Sequence, residues 1–170
     1  MIKTLAKCYK IEGQIMRGNE PFTVIRPSTV TVKDVLSHHH GGRFKLGLDF
    51  HGVVDKFPVI FIDLAKSIHR GGGEVHVLTG SPDDAKLEKE LLSLNAGKRW
   101  WDRVFSITDH LLAKGITYRI DSIGGKVFPD SDWDSAKAEY CEKNGISVHI
   151  DDSETFLKHF KTACLLFKQG

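Results

Sequence analysis

KLGLDFHGVVDKFPVIFIDLAKSIHRGGGEVHVLTG, residues 45–80, decides how this chain folds. Lys45 to Phe50 is a short apolar run of the kind that forms a buried strand. Phe57, Ile60, Phe61, Leu64, Ala65 and Ile68 then recur at helical spacing, and Gly71-Gly72-Gly73 stops the helix. Glu74 to Leu78 is a second apolar strand. Strand, crossover helix and strand make the repeating unit of a parallel sheet.

The pattern continues toward the C-terminus. Ser81-Pro82-Asp83-Asp84 supplies a capping hydroxyl, a proline for the first turn and acids for the helix dipole, so it predicts a helix with Leu87, Leu91 and Leu94 as its inner stripe. Arg103 to Ile107 reads as a third strand. Ser135 to Lys143 reads as a helix closed by Asn144-Gly145, and Ser147 to Ile150 as a fourth strand. Glu154 to Phe160 is a short helix and Thr162 to Phe167 a last strand. Such alternation predicts an α/β fold, a three-layer Rossmann-like sandwich around a parallel sheet, over residues 45–170.

Residues 1–44 differ. Thr23 to Ile25 and Thr29 to Val32 flank Pro27-Ser28, and Gly18-Asn19 is an earlier turn signal, which predicts two or three short strands in a small β-rich extension. Residues 1–45 carry eight Lys or Arg against three acids, whereas the whole chain is only +2. His38-His39-His40-Gly41-Gly42 reads as a solvated linker, since consecutive side chains in regular structure cannot converge on one ion. The N-terminal part could serve as a lid, a platform for nucleic acid, a hairpin padding the sheet or a homo-oligomer contact. Few aromatics (Tyr9, Phe22, Phe44) interleave its charges, which favours the plainer roles.

Composition sets outer limits. With 41% hydrophobic residues and low net charge, 170 residues can bury a core, which excludes a wholly disordered chain. No apolar run is long enough for a membrane span, and MIKTLAKCYK lacks the apolar core of a signal peptide. Cys8, Cys141 and Cys164 are odd in number and widely spaced, which fits a reducing cytoplasm better than a disulfide framework.

Ligands of open parallel sheets bind beyond the carboxyl ends of the strands. There the sequence sets Asp49 and His51, then Thr79, Gly80 and Ser81, then Asp151 and Asp152, with Lys137 on the preceding helix. Crowded carboxylates need a cation between them, and hard oxygen ligands select Mg²⁺.

LGLDFHGVV, VHVLTGS, the helical Lys137 and VHIDDS together resemble the four ordered motifs of the haloacid dehalogenase superfamily of phosphohydrolases. The KAEYCEKNGISVHIDDS run looks most like its small nucleotidase branches. The resemblance covers about residues 45–167 and implies a Mg²⁺-dependent phosphatase acting on nucleotide or polynucleotide phosphomonoesters. Asp49 would be the nucleophile, forming an aspartyl-phosphate, and Lys137 would neutralise charge. Thr79, Gly80 and Lys137 would bind the phosphoryl group. Mg²⁺ would be held by Asp49, the His51 carbonyl and the Asp151/Asp152 pair, with Asp152 favoured as direct ligand. One departure stands out: the family's second aspartate, its general acid, is His51 here. An imidazole can replace it; if it does not, the chain is a silent binding module for nucleic acid or a protein. Asp55 reads as a loop carboxylate. The short intervals between motifs leave room for one small hairpin between Ile116 and Asp132, so an open, minimally capped edge is expected. Of Trp100 and Trp101, one is expected in the core and one partly exposed.

Overall fold

The computed structural model describes residues 10–13, 23–26 and 42–168. Strand β3 (Lys45–Asp49) leads through a tight turn to α1 (Pro58–Arg70), then β4 (Glu74–Thr79), α2 (Ala85–Ser93), β5 (Arg103–Ser106) and α3 (Ile107–Ala113). A two-stranded ribbon, β6 (Arg119–Ile120) and β7 (Lys126–Val127), precedes α4 (Asp130–Asn144), β8 (Val148–Asp151), α5 (Glu154–Leu157) and β9 (Ala163–Phe167). Strands β1 (Lys10–Gly13) and β2 (Thr23–Arg26) come first in the chain.

The sheet order is β1-β2-β9-β8-β3-β4-β5. The five strands from β9 to β5 are mutually parallel, β2 joins β9 in parallel and β1 closes that side antiparallel. The chain steps from β3 to β4 and β5 on one side and returns to β8 and β9 on the other. The order therefore reverses between β3 and β8, the switch point at which such sheets open a crevice for ligands.

Alternation along each strand builds two apolar layers. Leu46, Leu48, Val75, Val77, Val148, Ile150, Leu165 and Phe167 meet α1 and α2 on one face. Leu78, Cys164 and Leu166 meet Leu111 of α3, Ala138 and Cys141 of α4 and Leu157 of α5 on the other. The α/β three-layer arrangement predicted from the sequence is present. Cys141 and Cys164 are free and buried, while Cys8 lies outside the described residues. Among the described residues no helix is long and apolar enough to cross a membrane.

Several local expectations are corrected. Helix α2 starts at Ala85 rather than at Pro82, because the Asp84 carboxylate accepts the N–H groups of Lys86 and Leu87, both at 2.9 Å. The Ser81 N–H is instead tied to Thr79 Oγ1 at 3.1 Å. Strand β5 ends at Ser106, whose hydroxyl caps α3 through the Asp109 N–H at 3.0 Å, so Ile107 is helical. Helix α4 gains a turn and begins after Pro129. Trp100 and Trp101 are both buried, edge to face at 5.4 Å, with Trp100 Nε1 donating to the Leu91 carbonyl. The predicted hairpin is β6–β7. The predicted strand at Thr29–Val32 and the His38–His40 linker lie outside the described residues.

Candidate metal and phosphate centre

Strand parity explains why the acids share a face. Gly47 of β3 pairs in register with His149 of β8, and both strands end two residues later, at Asp49 and Asp151. Residues two apart on a strand point the same way, so Gly47, Asp49, His149 and Asp151 all face α4. Lys137 reaches them from the middle of that helix. Its Nζ donates to Asp49 Oδ1 at 2.6 Å and to Asp151 Oδ2 at 2.7 Å, and it sits 4.4 Å from the centre of the Phe156 ring. Asp151 is pinned further: Oδ2 lies 3.0 Å from His149 Nε2, and Oδ1 accepts the Ser153 N–H at 2.9 Å.

Asp152 completes the cluster. Asp49, Asp151 and Asp152 each offer a carboxylate oxygen within 4.8 Å of the others. One buried ammonium thus faces three carboxylates, and the excess negative charge is what a divalent cation would neutralise. The protonation equilibria carry the same imbalance. Burial drives the Asp49 carboxyl up to about 7, with Asp151 adding to the rise and Lys137 opposing it. Asp151 faces burial too, but Lys137 and His149 hold it well below the usual carboxylate range. Burial and Asp151 both push Asp152 upward. Burial alone would lower Lys137, yet the two aspartates outweigh it and hold the ammonium above its ordinary value.

The turn after β3 presents the last strand residue to this centre. His51 is extended and Gly52 has φ +89°, a conformation that disfavours a side chain. A Cβ at Gly52 would overlap the Asp152 carboxylate. Asp55, read as a loop carboxylate, accepts the Gly52 N–H at 2.7 Å and so fastens the turn. His51 is exposed, and its Nδ1 lies 3.2 Å from Thr79 Oγ1. Gly80 is fixed by its carbonyl, which accepts the Thr108 hydroxyl at 2.7 Å.

Every site residue expected from the sequence is thereby brought to one rim of the sheet. Asp49, Thr79, Lys137 and Asp151 are buried there, while His51 and the half-buried Asp152 front the solvent. Sequence reading missed four participants. His149 hid inside an apolar strand, although a histidine two residues before an acid must share its face. Gly52 was passed over. Phe156 and Trp133 carry no sequence signal that sets them apart from ordinary helix residues. Trp133 stands one helical turn before Lys137 on the same side of α4, and a Cβ at Gly80 would come within 2.9 Å of its ring. In comparisons with known proteins, no family model, no curated protein and no solved structure matches this chain.

Proposed function

We propose that the chain is a phosphohydrolase of the haloacid dehalogenase type, dependent on Mg²⁺ and working through an aspartyl-phosphate. One observation carries the reading: Lys137 bridges Asp49 and Asp151 at 2.6 and 2.7 Å, with Asp152 beside them, at the switch point of a parallel sheet. The all-oxygen, carboxylate-rich donor set fits Mg²⁺. Asp49, Asp152 and the His51 carbonyl would hold the ion, and Asp151 would orient Lys137. An ion held there would supply charge neutralisation for the phosphoryl group.

The chain's own groups do the rest. Asp49 attacks phosphorus in line, and the bond from phosphorus to the leaving oxygen breaks. With the His51 ring protonated, Nδ1–H donates to Thr79 Oγ1, the Thr79 hydroxyl hydrogen turns to a phosphoryl oxygen, and Nε2–H protonates the leaving oxygen. Water then attacks the aspartyl-phosphate, His51 takes its proton, and Asp49 is regenerated with release of inorganic phosphate. Lys137 neutralises charge throughout. The resemblance of KAEYCEKNGISVHIDDS to the small nucleotidase branches supports a nucleotide or polynucleotide phosphomonoester as substrate. The free thiols of Cys141 and Cys164 accord with work in a reducing cytoplasm.

The test is turnover of phosphomonoesters with and without Mg²⁺. Asp49→Asn is expected to abolish hydrolysis of p-nitrophenyl phosphate while the protein stays folded. His51→Ala is expected to lose about 10²–10⁴-fold on alkyl phosphates and much less on p-nitrophenyl phosphate, whose leaving group departs without a proton. A wild-type chain with no turnover, in which His51→Asp creates activity, would identify the silent binding module instead.

A further inference from the structure

We propose that His149 is a positioning residue of this centre, holding Asp151 so that Lys137 stands between it and Asp49; the inference rests on the phosphohydrolase reading. His149 is completely buried in β8, stacked on Phe160 with ring centres 5.1 Å apart and planes 17° from parallel. A carboxylate can only accept, so Nε2–H donates to Asp151 Oδ2 at 3.0 Å. The same oxygen accepts Lys137, which donates onward to Asp49 Oδ1. Four side chains thus form one connected network, in which His149 and Lys137 both donate to Asp151 and Lys137 donates also to the nucleophile Asp49 at the rim.

Packing alone gives no reason for a histidine here. An aliphatic side chain would fill the space between Phe160 and strand β3 without burying a polar ring. The neighbouring strand also makes room for it. Gly47 pairs with His149 in register, and a Cβ there would come within 2.9 Å of Nδ1. That nitrogen is buried and has no hydrogen-bond partner at bonding geometry among the described residues. The ring therefore carries a desolvation cost that its contact with Asp151 does most to offset, with the Gly47 backbone a smaller contributor. Without it, Asp151 Oδ2 keeps Lys137 alone, and both side chains gain freedom to shift away from Asp49.

The experiment compares His149→Leu, which fills the space without a donor, with His149→Gln, whose amide N–H reproduces Nε2. Steady-state kinetics on p-nitrophenyl phosphate with Mg²⁺ and thermal melts are measured for both. His149→Leu is expected to melt like the wild type, keep its KM and lose about 10–100-fold in kcat, the range typical for outer partners of metal ligands. His149→Gln is expected to regain most of that loss. Equal kcat in wild type and His149→Leu, or equal loss in Leu and Gln, would overturn the positioning role while leaving the phosphohydrolase reading intact. If His149→Leu does not fold, Gly47→Ala provides the second route: it displaces the ring from the neighbouring strand, and an unchanged kcat there overturns the inference. A wild type without turnover sinks the enzymatic reading, and Mg²⁺ titration by calorimetry then decides this one. Weaker binding in His149→Leu than in His149→Gln supports it; equal binding, or none in the wild type, rejects it.

Discussion

Asp49 is the residue on which stability and chemistry pull in opposite directions. Burial raises its carboxyl from 3.8 to about 7, so the folded chain holds a proton there that the unfolded chain has released. Between those two values folding takes up a proton, and stability falls as pH rises through the window. In the presence of a chelator, Asp49→Asn should therefore be more stable than wild type above about pH 7, with the difference shrinking to nothing near pH 4. Urea melts at the two pH values check this, and a constant difference would mean that Asp49 is not the proton-binding member of the cluster. The opposite sign holds for Asp151, which Lys137 and His149 keep ionised and whose contribution is lost only on strong acidification. The sequence announced both carboxylates through their places at strand ends, but not their division of labour. That division comes from burial and from Lys137 and His149, partners 14 and 2 residues away from Asp151, which strand parity and helix packing bring together.

At the level of elements, the turn from β3 to α1 does most to shape the site. Gly52 meets two demands at once, a positive φ and contact with the Asp152 carboxylate, whereas Gly72 has φ +78° and open space around its Cβ position. Gly72→Ala should cost only backbone strain, about 1–2 kcal/mol. Gly52→Ala should cost more than that and also weaken Mg²⁺ binding. Denaturant melts and Mg²⁺ titration of the two variants separate strain from displacement of Asp152, and equal behaviour in both assays would show that the turn does not position that side chain. The buried strands β3 and β4 and the amphipathic helix α1 between them were legible because apolar periodicity has one solution there. The start of α2 was not, since Ser81, Asp83 and Asp84 are all competent caps, and the Ser81 and Asp83 N–H groups are instead held outside the helix by donating to Thr79 Oγ1 and Asp109 Oδ2. The Trp100–Trp101 pair misled for a related reason: both rings fit one apolar layer when the backbone there is not a regular strand.

For the whole molecule, the sheet order puts β3 and β8 side by side at its reversal, and the protein concentrates uncompensated negative charge there. A cation that binds only the folded state stabilises it by mass action, about 2.7 kcal/mol at one hundred times its dissociation constant. For a chain of this size that corresponds to a rise in Tm of roughly 5–10 °C. Protons compete for the same oxygens, since Asp49 must give up its proton before it can hold an ion. The stabilisation by Mg²⁺ should accordingly grow from pH 5.5 to about pH 7 and level off above, following the Asp49 carboxyl. In Asp49→Asn that growth should flatten, because the competing proton is gone together with one ligand. Melts across this range, at fixed ionic strength to hold screening constant, discriminate the two accounts of the centre. A Tm shift equal at every pH would place the ion elsewhere on the surface. A shift that tracks Asp49 ties it to the rim where Lys137 meets the two strand-end carboxylates.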